Sequence, residues 1–338
     1  MAYREDILQQ PQAVRNTLSR WALTPSLDQT LRRLRSGGFR RVVLTGMGSS
    51  LYALIPLWYH LLDEGYHALW VETGELLHYG IGWVKPDDLL IVVSQSGRSA
   101  EVVEWISRAQ ATILGVTNTP ESPLAKASHA LILTEAGEEA TVSCKTYVAT
   151  LTSLALLGEV CVGGDPEALR DLLNRTAEQM ESYLARIDAH IQRLLGVLQG
   201  VEHVIYAGRG ISLASAETAG LITKESVKIP AEGMSAAAFR HGPFELISPR
   251  LFVLVFEGEE PARALNRKLV DEINRYQGKA HLVGESASEE TFSIQPLAVQ
   301  ARPLLEILPV QMMTLSLAQL RGRVAGEFTL ASKITDVQ

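Results

Sequence analysis

The chain predicts an α/β protein: two tandem doubly wound parallel-sheet domains behind an N-terminal helical segment. Three observations predict it. From Arg40 onward, short apolar and β-branched runs alternate with longer helical stretches. A Gly-x-Gly turn follows the leading strand of each half, Gly46-Met47-Gly48 and then Gly208-Arg209-Gly210. Between the halves, Gly163-Gly164-Asp165-Pro166 interrupts the alternation and marks a boundary.

Residues 1–35 read as amphipathic helix. The first domain, 36–163, has strand-like runs at Arg41–Leu44, Ala68–Val71, Leu89–Val93, Ile113–Val116 and Ala130–Leu133. Helical stretches lie between or after them at Ser50–Leu62, Ala100–Ala109 and Lys145–Cys161. Strands alternating with helices imply parallel crossovers. The second domain, 164–325, opens with a long helix from Pro166 to about Leu198. Val204–Tyr206, Phe252–Val255, Ala280–Val283 and Phe292–Ile294 then read as strands. Residues 326–338 form a C-terminal tail.

Composition narrows the function. The 338 residues are 46% hydrophobic, enough for packed cores, and carry a formal net charge of −7. That charge disfavours a nucleic-acid partner. Two cysteines, Cys144 and Cys161, make neither a disulfide framework nor a zinc site. The histidines show no metal-ligand spacing, so no metal or cofactor is expected. Met1-Ala2-Tyr3-Arg4-Glu5-Asp6 leads into a polar segment unlike a signal peptide. No uninterrupted apolar run is long enough for a bilayer, so no membrane partner and a cytoplasmic location are expected.

Two loops carry the chemistry. Gly46-Met47-Gly48-Ser49-Ser50 and Ser94-Gln95-Ser96-Gly97-Arg98-Ser99 each follow a strand and open a helix. Hydroxyls and free N–H groups at the carboxyl ends of two buried strands suit one anion, and ligands of open parallel sheets sit at that edge. A phosphorylated small molecule is the first hypothesis. The bland alternative for each serine is an ordinary helix cap, which three serines in six residues make less apt. A dinucleotide fingerprint is the rival, with Glu72 as the ribose acid, but Leu51 stands where the third glycine belongs. In the second half Glu257-Gly258-Glu259-Glu260 replaces the serine loop. Its charge would repel phosphate, so one phosphate site per chain is expected, in the first half.

Further candidates follow the same logic. Thr141-Val142-Ser143-Cys144-Lys145-Thr146 is another polar turn entering a helix and reads equally as a cap. Cys144 suits a small buried residue better than a nucleophile. Glu225 lies on the helix after Gly208-Arg209-Gly210, and His241 sixteen residues later, before Gly242-Pro243. A carboxylate with an imidazole suits proton movement beside a carbonyl. Spacing alone leaves catalysis open, because a helical Glu or a lone His is more often a solvated or satisfied residue. Lys333 lies in the tail, where lysines are mostly solvated.

Taken together, these motifs resemble the sugar isomerase (SIS) superfamily in its double-domain, flavodoxin-like form. The chain is similar to the isomerase half of glutamine–fructose-6-phosphate aminotransferases and to SIS-type glucosamine-6-phosphate deaminases. The resemblance runs from Ile7-Leu8-Gln9-Gln10-Pro11 through Gly48-Ser49-Ser50, Ser94-Gln95-Ser96-Gly97 and Val142-Ser143-Cys144-Lys145. It continues through Gly208-Arg209-Gly210, Lys224-Glu225-Ser226, Ala231-Glu232-Gly233 and Phe239-Arg240-His241-Gly242-Pro243 to Lys333. It implies that Gly48, Ser49, Ser50, Ser94, Gln95, Ser96 and Ser99 hold a sugar phosphate, with Ser143 and the Val142 backbone touching the sugar. It implies Glu225 for proton transfer between C1 and C2, His241 for ring opening, donated across a homodimer interface, and Lys333 in a tail closing the site. The implied reaction is aldose–ketose isomerisation or deamination of an amino-sugar phosphate, glucosamine 6-phosphate to fructose 6-phosphate and ammonia. A deglycase acting on a phosphorylated sugar–amine conjugate, or a sugar-phosphate sensor without catalysis, are its alternatives. Three departures from the resemblance stand out: with Met1-Ala2 opening directly on the isomerase-like segment, a protein without the glutaminase domain is expected, Ile222 occupies the family's lysine position before Glu225, and Gly322-Arg323-Val324-Ala325-Gly326 replaces a proline-rich approach to the tail.

Overall fold

The computed structural model describes residues 2–330. The chain divides into two compact units. One comprises Gln12–Glu139 and Cys144–Asn174, and the other comprises the residues through Pro11, Ala140–Ser143 and Arg175–Thr329. We call them the first-sheet and second-sheet units.

The chain begins with three helices, α1 (Ala2–Leu8), α2 (Gln10–Arg20) and α3 (Pro25–Arg35). In α3, Thr24 caps the Leu27 N–H and Leu27, Leu31 and Leu34 form the buried stripe. The first sheet follows: β1 (Arg41–Gly46), α4 (Gly48–Tyr52), α5 (Ile55–Asp63), β2 (Ala68–Glu72), α6 (Thr73–Tyr79), β3 (Asp88–Val93), α7 (Ala100–Arg108), β4 (Thr112–Thr117), α8 (Pro123–Ala127), β5 (Ala130–Leu133) and α9 (Lys145–Cys161). All pairings are parallel, in the order β2-β1-β3-β4-β5. Every residue of β3 is buried, as expected of a central strand covered by helices on both faces. The stretch read as one helix, Ser50–Leu62, is two. The chain breaks at Ala53-Leu54, and Pro56 sits in the first turn of α5, where its missing N–H is harmless.

The second sheet repeats the plan. After α10 (Pro166–Leu184) and α11 (Ile187–Val197) come β6 (His203–Gly208), α12 (Ser212–Val227), β7 (Ala231–Ser235), α13 (Ala236–Arg240), β8 (Leu251–Phe256), α14 (Arg263–Arg275), β9 (Lys279–Val283) and α15 (Arg302–Leu320). The order is β7-β6-β8-β9, again parallel. Two expectations are corrected here, and one strand is added. The long helix from Pro166 is two helices, broken where Arg186 leaves helical geometry at φ −106°, ψ 21°. Phe292–Ile294 is no strand: a 3-10 turn over Glu290–Phe292 leaves a single bridge between Gly284 and Ser293, and Phe292 is apolar because it packs beside Phe252 and His281. Ala231–Ser235 is a strand although Ala-Glu-Gly-Met-Ser lacks β-branched residues. It forms because α12 approaches it at glycines: a Cβ on Gly220 would lie 2.3 Å from the Gly233 nitrogen, and one on Gly233 would lie 2.2 Å from the Ala216 oxygen.

By length and composition α15 would suffice to cross a membrane, but 89% of the relevant window is buried inside the protein. Its buried polar residues Arg302, Glu306 and Gln311 have partners in this unit, so it is a core helix.

Candidate functional site

In a sheet ordered 2-1-3-4-5, the helices after strands 1 and 3 leave on opposite faces and open a crevice between them. Register places Gly46 of β1 opposite Val93 of β3. The two loops singled out in the sequence therefore emerge side by side. A Cβ on Gly46 would stand 2.8 Å from the Val93 oxygen, so the strand ends pack without side-chain room.

The second of these loops is held in shape by its own hydroxyls. Ser94 Oγ accepts the Gly97 N–H at 3.1 Å and lies 3.2 Å from Ser99 Oγ. Ser96 Oγ accepts the Arg98 N–H at 3.2 Å. Gln95 is pinned through its carbonyl, which accepts from Thr117 Oγ1 at 3.1 Å and from the Asn118 N–H at 3.0 Å. Gly97 has φ +61°, and its position faces Ser122 so closely that a Cβ would lie 2.2 Å from Ser122 Oγ. Thr117, Asn118 and Ser122 are thus supports that sequence reading missed; the Ser122-Pro123 cap of α8 was the available signal.

Ordinary capping does not explain these serines. Ser99 occupies the N-cap of α7 yet makes no side-chain cap bond. In the first loop, Gly48 has φ +50°, Ser50 is half-buried, and Ser49 Oγ is buried with no hydrogen-bond partner. An unpaired buried hydroxyl is costly and asks for an explanation. The entrance to α9 differs. There the buried Glu139 carboxylate accepts the Cys144 and Thr146 N–H groups at 2.9 and 3.1 Å and Thr146 Oγ1 at 2.7 Å. This cap was not visible in sequence. Cys144 is fully buried, as its small apolar character suggests.

The second-sheet unit holds the other candidates. Glu225 lies half-buried in the last turn of α12. His241 is exposed at the C-cap of α13, its N–H donating to Ala238 O at 2.9 Å. Strand β7 connects the two helices. Ile222 is fully buried, an apolar side chain inside the core. Val142 is buried and Ser143 half-buried, both within this unit. Lys333 lies outside the described residues. Sequence reading passed over Glu217, half-buried two turns before Glu225 on α12. Burial pushes its carboxyl up to about 7, against the Lys224 cation.

Fold and crevice define a class: an α/β protein with the flavodoxin-like strand order in its first sheet, similar to SIS domains. Residues 38–159 match the SIS domain model, and the four-stranded second sheet repeats the order of the first four strands of the first. Among curated proteins, the chain is 29% identical over 334 residues to the glutamine–fructose-6-phosphate aminotransferase (isomerizing) of Methanothermobacter thermautotrophicus. That match covers 94% of this chain and 54% of the relative, so the chain spans about half the length of the curated relatives it matches. Among solved structures, the C-terminal domain of glucosamine-fructose-6-phosphate aminotransferase from Francisella tularensis superposes with a TM-score of 0.80 at 20% identity, covering 97% of this chain and 98% of that one. A glucosamine-6-phosphate deaminase from Thermotoga maritima gives 0.79 at 18% identity, covering 99% of each. At these identities the structural likeness establishes the fold.

Proposed function

We propose that the protein is a sugar-phosphate isomerase that deaminates an amino-sugar phosphate, converting glucosamine 6-phosphate and water to fructose 6-phosphate and ammonia. The observation that carries this reading is the first-sheet crevice, where the loop of Ser94, Ser96 and Ser99 and the loop of the unpaired Ser49 hydroxyl leave neighbouring parallel strands at a switch point. Hydroxyls and N–H groups of this kind suit a phosphate ester. The relatives' names, an isomerizing aminotransferase and a glucosamine-6-phosphate deaminase, support the same class of substrate.

In the proposed reaction the phosphate is held by the Gly48-Ser49-Ser50 turn and by Ser94, Gln95, Ser96 and Ser99, with Val142 and Ser143 contacting the sugar. His241, from the neighbouring copy of a homodimer, assists ring opening. Glu225 removes the proton from C2 of the open-chain amino aldose and returns it to C1. The C2 imine that results takes up water and releases ammonia, leaving the 2-ketose. Ile222 carries no amine, so no side-chain nitrogen is available at that position to hold the sugar carbonyl, which favours deamination over amination.

Glu225→Gln tests the reading. A positioned base is typically worth about 10²–10⁴ in rate. Ammonia release from glucosamine 6-phosphate should fall by about that factor, while calorimetric binding of fructose 6-phosphate stays within a few-fold of wild type. Undiminished ammonia release by the variant refutes the role of Glu225. Release of an amino acid from a phosphorylated conjugate, with no ammonia from the hexosamine, makes the protein a deglycase instead.

A further inference from the structure

The second sheet has the same crevice, and it is filled from within. β6 and β8 are its central neighbours, so the 208–210 turn and the 257–262 loop flank it as their counterparts do in the first sheet. The first turn of α12 supplies Ser212 and Ser215, both fully buried. Ser212 Oγ donates to one oxygen of the Glu306 carboxylate at 2.7 Å, and Ser215 Oγ donates to the other at 2.6 Å. The Ile211 N–H donates to Glu259, and a Cβ on Gly210 would stand 2.7 Å from Glu259 Oε1.

Cationic charge is present as well. Arg302 lies one turn before Glu306 on α15 with its side chain only 5% exposed. Its Nε is 3.7 Å from Glu259 Oε2, its Nη2 is 3.4 Å from Glu285 Oε1, and its Nε and Nη1 have no hydrogen-bond partner. Arg263 pairs with Glu285 at 3.0 Å. Two hydroxyls in the first turn of a sixteen-residue helix thus converge on a carboxylate that the protein carries itself, while the buried guanidinium one turn away faces Glu259 and Glu285.

We propose that Glu306 is a built-in anion, occupying in the second-sheet unit the place that a phosphate takes at a switch-point crevice, so that this unit is closed to phosphate. The expected loss of a second phosphate site then has a cause beyond repulsion by the Glu257–Glu260 loop: the donors are already used. Burial pushes the Glu306 carboxyl up to about 7 and the Glu259 charge adds to this, while Ser215, Ser212 and Arg302 act in the opposite direction. This inference is independent of the reaction proposed above, and its test uses no sugar.

Glu306→Ala removes the carboxylate, and formate at pH 8 offers the same anion from solution. Formate should raise the variant's melting temperature saturably over chloride at equal ionic strength, and leave wild type and Glu306→Gln unmoved. Formate shifting all three alike, or none, overturns the proposal. Where Glu306→Ala folds poorly in chloride, soluble recovery in formate against chloride is the readout, with equal recovery refuting it. Glu306→Gln gives a second check. A carboxyl raised in the folded state makes wild-type stability fall as pH rises from about 4.5 to about 7. That fall should shrink in the variant, and an unchanged profile overturns the assignment.

Discussion

Gly97→Ala separates the backbone of the proposed phosphate loop from its hydroxyls. Gly97 holds φ +61°, where an L-residue costs about 1–2 kcal/mol. Its Cβ would also stand 2.2 Å from Ser122 Oγ and 2.5 Å from Ser122 Cβ, distances that no side chain sustains. Ser122 is fully buried and caps α8 through the Ala125 N–H, a bond whose loss costs about 1 kcal/mol. Together these come to about 2–3 kcal/mol of stability. Part of the movement must pass into the loop itself, which ties Gly97 to Ser94 and Ser94 to Ser99. A hydrogen bond to a charged group is worth about 1.5–3 kcal/mol, so misplacing one donor should weaken sugar-phosphate binding by about 10–150-fold. Gly37→Ala is the matched control, with φ +73° and no atom within 4 Å of its added Cβ. It meets the backbone cost and no collision. Calorimetry with fructose 6-phosphate and thermal unfolding should show both variants destabilised and only Gly97→Ala impaired in binding. Equal affinities for the two variants would refute the placement of the phosphate in this loop.

Two further predictions concern the scaffold of the first-sheet unit. Asp88 is fully buried between Arg40 and Arg41, with bonds of 3.0–3.1 Å to both and 2.8 Å from the Lys85 N–H. Burial alone would raise its carboxyl, but Arg41, the Lys85 N–H and Arg40 hold it below the usual range. Its stabilisation is therefore present above the unfolded carboxylate value of about 4 and lost as pH falls through the lowered folded value. Asp88→Asn should cost about 3 kcal/mol at pH 7, the low end for a broken buried pair because Arg40 is 44% exposed. The deficit in denaturant unfolding should narrow below about pH 4, and a constant deficit refutes the charge argument. Glu139→Ala removes the acceptor for two N–H groups at the start of α9 and should cost about 2 kcal/mol. Hydrogen exchange at Thr146 should accelerate while the exchange of β3 is unchanged, and protection retained at Thr146 counts against the cap.

Where a residue's role depends on near neighbours, the sequence showed it. Leu89–Val93 reads as a buried strand because each residue is apolar and β-branched residues dominate, and β3 covers it. The serine loop was visible because its hydroxyls bond within five residues. Partners distant in sequence were not visible. Glu306 meets Ser212 across 94 positions, and nothing in Leu305-Glu306-Ile307 separates a buried acceptor from a solvated acid. Strand β7 escaped for the same reason, since its support is the glycine contact with α12 rather than its own composition. The helix break at Ala53-Leu54 was encoded locally by Pro56, but an apolar run on both sides hid it.

The two sheets show how one topology serves opposite electrostatic ends. The chain carries a net charge of −7, and in the first-sheet crevice the shaped part of the 94–99 loop is built of hydroxyls and N–H groups, with Arg98 exposed beside them. Arg40 and Arg41 are engaged at the amino end of the sheet, where Asp88 begins β3. An anion held at the carboxyl end then relies on hydroxyls, N–H groups and the start of α7, whose directions are fixed by the backbone. In the second sheet the equivalent donors face a carboxylate fixed on α15, which has no translational freedom to lose and so outcompetes a free anion. Closing that crevice also joins the first turn of α12 to the core helix of the unit. A helix anchored at Ser212 and Ser215 and pressed onto β7 at Gly220 is held along its length, and the same rigid element carries Glu225 in its last turn. The repeat thus keeps the uncommitted Ser49 hydroxyl at the crevice of one sheet and turns the crevice of the other into a fixed mount for α12.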